Sequence, residues 1–375
     1  MSLINTLHIL PGPIYDSGEA MRKRYESLSK FSCGTLISLA PKSIESQFVN
    51  YKLCLVGTNG GYGAKSNFKL FIAAVKKARA LRATVGLDIV VCYDPLKTGL
   101  ISLFIAKLCG CKMIVEVNGV YDAPALYKFK KGLMIKLKKF IYPKIQRFVL
   151  FNADGIKCLY RGQVKYRRPK KPQIVKCFFS HTQISQSNYT ANNQPKILSI
   201  GFPSYIKGMD LLITAFNKIS KIHPKWTLEI VGYLSENEQV LLKGLVENEK
   251  MVSIRKPVDF VKVPKLIDSC DIFVLASRTE AMGRVLLEAM ARGRARIASN
   301  VGGIPTILND QVDGLLFDSE SADDLAEKLE ALMSSEPRRK KLATAGLLRF
   351  EQEFTIDCYA AQVEELYNDV INLAR

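Results

Sequence analysis

At 375 residues, with 48% apolar and 24% charged side chains, the chain is too long for one small core and too apolar for disorder, so two domains of roughly 150–200 residues are the natural division. No short repeat recurs, and no apolar run reaches the roughly 18 residues of a bilayer-spanning helix. The net charge of +19 is uneven: residues 1–190 hold 31 Lys+Arg against 9 Asp+Glu, residues 191–375 hold 23 against 26, which points the N-terminal half toward an anionic partner such as a membrane surface, nucleic acid or a polyanionic substrate.

The chain alternates strand-like and helix-like segments. Residues 6–10 form a short apolar run ending in Pro11-Gly-Pro13. A helix is predicted over 19–30, then strands over 35–39 and 53–56. The second of these enters the Gly-rich stretch 57–63, after which a helix runs over 67–81. Strand 88–93, helix 98–109 and strand 112–117 continue the rhythm. A polar stretch, 180–194, is the best linker. The alternation restarts with strand 196–200, helix 208–220, strand 227–231, strand 252–254, helix 263–269 and strand 272–275. Helix 282–292, strands 296–299 and 314–317 and helix 322–334 complete it. This βαβ rhythm implies two parallel sheets covered by helices on both faces, and ligands of such sheets bind outside the carboxyl ends of the strands. The domain reading is 1–185, a linker at 186–194, a second domain at 195–355, and a last helix at 356–375 packing back on the first.

The most informative stretch runs from Ile272 to Gly293, IFVLASRTEAMGRVLLEAMARG. A buried strand, a short polar turn and a helix whose first turn includes Gly283 make an anion-binding arrangement: N–H groups and dipole at the helix start favour phosphate, and glycine permits close approach. Glu280 stands before the helix and Glu288 nearly two turns in, roughly 12 Å apart if fully helical. Two carboxylates there can hold a sugar and a ribose by their hydroxyls. Spacing alone equally permits a helix-start acid and a solvated acid.

This stretch resembles the E-x7-E motif of the retaining glycosyltransferases of family 4. Further landmarks agree in order: Ile200-Gly201, the run from Lys207-Gly208 to Phe216, Val231-Gly232, Val301-Gly-Gly-Ile-Pro305, and Asp313-Gly-Leu-Leu-Phe317. The resemblance is strong over about 195–335 and weaker before it, through Glu116-Val-Asn-Gly119 and the Gly-rich loop. It implies a GT-B type α/β fold, two doubly wound Rossmann-like domains facing a central cleft, with an acceptor-binding first domain and a donor-binding second. It further implies a metal-independent enzyme whose only small-molecule requirement besides the acceptor is a nucleoside-diphosphate sugar. By position, Lys207 would bind the donor diphosphate, Glu280 the sugar hydroxyls and Glu288 the ribose. The backbone of Met282, Gly283 and Arg284 would face sugar and phosphates, Gly18 would approach from the first domain, and Asn118 stands where many relatives carry a histidine beside the reacting sugar. Lys207, Glu280 and Asn118 are thus the catalytic candidates. Two positions depart from the pattern: Phe202 replaces an Arg that elsewhere clamps the diphosphate with Lys207, leaving Arg284 or Arg278 as substitutes, and Thr306 replaces a Glu.

Other signals are weaker. Residues 57–66, GTNGGYGAKS, resemble a phosphate-binding loop but place Ala64 between Gly63 and Lys65. No D-x-D metal motif occurs, and the nine scattered cysteines without C-x-x-C pairs read as free thiols of a reducing compartment. His8 reads as capping or packing beside the first strand; His181 and His223 sit in polar surroundings. The start of the chain lacks the basic region of a signal peptide. Residues 127–147 hold eight Lys/Arg and no acid, with Phe129, Leu133, Leu137 and Phe140 at helical spacing; a core helix with a solvated basic face is the plain alternative to contact with an anionic membrane. A second cluster of eight lies over 157–176. The combined expectation is a cytoplasmic enzyme, peripheral on the inner membrane, glycosylating a glycan or lipid-linked saccharide in surface polysaccharide synthesis, with no nucleic-acid partner. The competing readings are a nucleotide-sugar epimerase on the same fold and a basic nucleic-acid-binding protein, for which strong salt-sensitive binding would speak.

Overall fold

The computed structural model describes residues 3–12, 14, 18–59, 61–121, 123–128, 132–164, 173–179, 186–188, 191–192 and 194–374. The chain divides into two compact units, one of residues 1–122, 130–183 and 356–375, the other of 123–129 and 184–355. Phe129, His181 and most of the second basic cluster lie outside the described residues.

The first unit begins with β1 (Ile4–Ile9), α1 (Glu19–Leu28), β2 (Ser32–Ala40), β3 (Ile44–Phe48), β4 (Tyr51–Gly57) and α2 (Ala64–Thr84). It continues with β5 (Ile89–Cys92), α3 (Lys97–Cys109), β6 (Lys112–Val117), α4 (Leu133–Asn152), β7 (Gly155–Cys158) and β8 (Ile174–Cys177). The sheet order is β3-β4-β2-β1-β5-β6-β7-β8. All neighbours are parallel except β3 on β4. The central strands β5 and β6 are buried on both faces and mostly apolar, as two-sided helix cover requires, with Glu116 of β6 the buried charged exception. β3 (IESQF) was not foreseen: it is a polar edge strand with one buried residue, Phe48, so it carries no hydrophobic pattern.

The order reverses between β1 and β5. Connections running from β4 to β5 to β6 to β7 move one way and β1 to β2 moves the other, so right-handed crossovers put α2, α3 and α4 on one face and α1 on the opposite face. Leu70, Ala74, Ala78, Ile105, Val149 and Leu150 join Leu7, Val90 and Val115 in the core under the three helices.

The second unit holds β9 (Lys196–Ile200), α5 (Met209–Ser220), β10 (Thr227–Val231), α6 (Glu236–Gly244), β11 (Val252–Arg255), α7 (Val263–Asp268) and β12 (Ile272–Leu275). Then come α8 (Arg284–Ala291), β13 (Ala295–Ser299), α9 (Ile304–Ile307), β14 (Leu315–Phe317), α10 (Ala322–Met333) and α11 (Glu336–Glu353). The six strands run in order β11-β10-β9-β12-β13-β14, all parallel. The order reverses between β9 and β12, which fixes where a ligand of this sheet sits. Caps follow sequence signals: Ser235 and Glu238 form a reciprocal capping box on α6, and Ser321 caps α10.

The last helix, α12 (Ile356–Ile371), returns to the first unit. It packs on α1, β6 and β8, with Leu366 and Val370 against Gly155. Among the described residues no helix is long and apolar enough to cross a membrane.

Candidate active site

The loops leaving β9 and β12 meet at the switch point of the second unit. In the loop after β9, Lys207 N–H donates to the Pro203 carbonyl, and its aliphatic stem lies where a Cβ on Gly201 would stand, 2.9–3.1 Å away. Gly208, the residue before α5, has φ +61°, and a Cβ on it would come within 1.9 Å of the Ala276 carbonyl oxygen. Glycine is therefore required there twice over, by conformation and by space. That close approach seats the β9–α5 loop directly on the end of β12.

The loop after β12 supplies Glu280. Its Oε2 accepts from Lys207 Nζ at 2.5 Å and from Ser277 Oγ at 3.2 Å, and its Oε1 from the Ala281 N–H at 3.3 Å. Ser277 is in turn fixed by its carbonyl, which accepts from Ser299 Oγ at 2.6 Å. Gly302, at φ +55°, would place a Cβ 1.9 Å from the Glu280 carbonyl oxygen, so the Gly302-Gly303 turn is the floor beneath Glu280. Lys207 and Glu280 are both largely buried, 18% and 14% exposed at the side chain.

Helix α8 starts at Arg284, two residues later than the periodicity predicts. Gly283 lies outside it as the cap, at φ +83°, so Glu280 and Glu288 are not on one continuous helix and the roughly 12 Å of a helical spacing does not apply. Met282 is buried, which leaves only its backbone for a ligand. The N–H groups of the first turn point out of the helix start. Glu288 is half-buried beneath Arg284, whose Nε donates to its Oε1 at 3.1 Å. Burial pushes the Glu288 carboxyl up, against the pull of Arg284.

Phe202 is 64% exposed, with its ring 6.5 Å from that of Tyr233 at the end of β10. Arg278 does not stand in for a missing phosphate ligand. Its guanidinium binds Asp210 with both arms at 2.7 and 2.8 Å, donates to the Tyr205 carbonyl at 2.7 Å, pairs with Glu320 at 3.2 Å and lies 4.1 Å over the Tyr205 ring. Its side chain is 8% exposed. Arg284 is the more open of the two, 48% exposed. Thr306 turns its hydroxyl back to the Gly303 carbonyl.

The other two candidates belong to the first unit. Gly18 precedes α1, in the loop after β1, with nothing within 4 Å of an added Cβ. Asn118 follows β6 and faces a buried charged cluster: its Nδ2 donates to Glu116 Oε2 at 3.0 Å, and its Oδ1 accepts from Lys157 Nζ at 2.7 Å. Arg24 closes the cluster, 3.0 Å from Glu116. Burial lowers Lys157 to about 8, with Glu116 opposing; burial resists ionisation of Glu116, but Arg24 and Lys157 hold its carboxyl below the ordinary value. His8 is fully buried among Tyr25, Tyr51 and Tyr93, inside the core and not a cap. Sequence reasoning passed over Ser277 and the role of Gly302; the run Ser277-Arg-Thr-Glu280 and the landmark Gly302-Gly303 were the signals, but only folding aims both at Glu280. Among the described residues no cluster of His, Cys, Asp and Glu could hold a metal ion.

Residues 180–349 match the family described as glycosyl transferases group 1. The chain is 30% identical over 184 residues to a D-inositol 3-phosphate glycosyltransferase of Corynebacterium aurimucosum, covering 46% of this chain and 43% of that one, so the match spans less than half of that relative. A protein described as an uncharacterized glycosyltransferase of Haemophilus influenzae is 25% identical over 71% of this chain and 72% of its own. Among solved structures, sucrose-phosphate synthase from Thermosynechococcus elongatus superposes with a TM-score of 0.76 at 16% identity, over 98% of this chain and 99% of that one. Anabaena HepE in complex with UDP-glucose superposes with a TM-score of 0.72 at 14% identity, over 97% and 99%. The fold is the GT-B type that the sequence implied.

Proposed function

Residues 180–349 being a glycosyl transferases group 1 segment, we propose that the protein is a retaining, metal-independent glycosyltransferase that moves a sugar from a nucleoside diphosphate to a hydroxyl of a glycan or lipid-linked saccharide. The observation that carries this reading is the Lys207–Glu280 pair at the switch point, flanked by the starts of α5 and α8. An ammonium and two helix starts suit a departing diphosphate, whose growing charge they stabilise in the transition state. A carboxylate held by Ser277 and Lys207 is poised for sugar hydroxyls, and Glu288 for the ribose. Met282, Gly283 and Arg284 offer backbone N–H groups, with Arg284 as the open cation. Asn118 and Gly18 are assigned to the acceptor-side unit's contribution to the reaction. The enzyme works in the cytoplasm at the inner membrane, where residues 127–147 meet anionic lipid, and serves surface polysaccharide synthesis.

The test is a thermal-shift panel of sugar nucleotides, beginning with UDP-sugars because HepE was solved with UDP-glucose. A donor at 100-fold its Kd stabilises the fold by about 2.7 kcal/mol. One donor class should raise the melting temperature of wild type and fail to do so for Glu280→Ala and Glu288→Ala. If no sugar nucleotide stabilises wild type, or both variants respond like it, the reading is wrong. Product analysis without acceptor separates transfer from epimerisation, which would convert the donor alone.

A further inference from the structure

Helices α2, α3 and α4 lie side by side over one face of the first sheet. Phe71 and Phe104 link α2 to α3 with ring centroids 5.1 Å apart. The three helices together contain 13 Lys/Arg and not one Asp or Glu. The helices on the opposite face differ sharply: α1 and α12 carry six acids against three cations. Exposed large apolar residues divide in the same way. α1 and α12 expose only Ile371 among them, whereas the other face exposes Phe68 and Ile72 on α2, Phe104 on α3, and Leu137, Phe140 and Phe151 on α4, among others.

The pattern on each helix is one of an outward apolar stripe bordered by cations. On α2, Phe68 and Ile72 are one turn apart, with Lys65, Lys69 and Lys76 on the same side. On α4, Leu137, Phe140 and Phe151 fall on the side away from buried Val149 and Leu150. Lys144 sits between them with its ammonium 3.5 Å over the Phe140 ring. Long lysine stems along apolar surface, heads at the border, suit a plane that is apolar inside and anionic at its surface.

We propose that the outer face of α2, α3 and α4 as a whole is a docking surface for an anionic lipid bilayer. This deepens the membrane contact ascribed to residues 127–147, extending it to two helices outside that run. The acid-free face is drawn to negative lipid headgroups and the acidic face of α1 and α12 is repelled, so charge alone orients the unit. Exposed phenylalanines then enter the interface. A nucleic acid would use the cations and have little use for the apolar stripe.

The experiment is flotation of the full chain with vesicles of phosphatidylcholine containing phosphatidylglycerol, against vesicles of phosphatidylcholine alone, without sugar nucleotide. Wild type should bind the anionic vesicles and not the neutral ones. Phe68→Ser with Phe104→Ser, and separately Lys69→Glu with Lys76→Glu, should each weaken partitioning by about tenfold or more, with Glu364→Lys on the opposite face showing no loss. Circular dichroism confirms folding, and the charge pair serves if the apolar pair does not fold. Equal binding to neutral vesicles, wild-type binding by both α2–α3 variants, or binding to duplex DNA that outcompetes vesicles and ignores the apolar substitutions would overturn the proposal. The donor panel needs no membrane and the flotation needs no donor, so the two readings fail separately.

Discussion

Lys207 Nζ and Glu280 Oε2 are 2.5 Å apart although 73 residues separate them in the chain. Each is the other's main charged partner in the free protein, so a bound diphosphate has to draw the ammonium partly away from the carboxylate. Removing either side leaves the remaining charge largely buried and unpaired. Lys207→Ala should lower kcat/KM for the sugar nucleotide by about 10²–10³, with a smaller loss for Glu280→Gln, which keeps one acceptor oxygen for Lys207 and Ser277 but gives up the charge and the acceptor that faces the Ala281 N–H. Steady-state kinetics with saturating acceptor checks this. Activity within twofold of wild type for Lys207→Ala would remove the lysine from the site.

Phe202 follows Gly201, against which the Lys207 stem lies, and is mostly exposed with its ring 6.5 Å from that of Tyr233. An arginine fits there without displacing core. Phe202→Arg should tighten donor binding by about tenfold at low ionic strength, with the gain shrinking as salt is raised. Calorimetric titration at two salt concentrations reads it. Unchanged or weaker binding would show that the aromatic ring belongs to a different recognition scheme.

Gly302→Ala places a methyl into the Glu280 carbonyl and asks an L-residue to hold φ +55°. It should cost more than about 1 kcal/mol of stability and weaken donor binding through the displaced Glu280. Gly244→Ala is the matched control, since an added Cβ meets nothing within 4 Å and the site is the last residue of α6. Chemical denaturation of both variants, with donor titrations, separates the local effect from a general one.

Burial pushes His8 down to about 3; Glu116 opposes this and Arg24 assists it. Thr6, Tyr25, Tyr93 and Tyr367 hydroxyls surround the ring. The unfolded chain, with His8 near its ordinary 6.5, takes up the proton first as pH falls. Stability from this residue is therefore complete above about pH 6.5 and is lost on descent toward 3, by up to about 1.4 kcal/mol per pH unit. His8→Gln should flatten the denaturation midpoint against pH between 6.5 and 4. A slope equal to that of wild type would show that other groups carry the acid sensitivity.

The sequence by itself determined the two parallel sheets, most of their helices and the motif order from Lys207 to Phe317, because buried parallel strands must be apolar on both faces and glycines at φ > 0 leave fixed marks. It could not reveal β3, whose residues are as polar as a loop, nor that Gly283, expected in the first turn of α8, lies outside that helix as its cap. Only tertiary structure decided which partners the charged groups take. Arg278 and Arg284 read alike as cations able to substitute for the arginine missing at Phe202, yet Arg278 is consumed by Asp210, Tyr205 and Glu320 while Arg284 stays open over Glu288. Glu280 acquires Lys207, Ser277 and the Gly302 floor from three separate loops. Local pattern reports whether a residue sits inside or outside an element; hydrogen bonds between loops depend on strand order, and strand order is set by how the whole sheet closes its core.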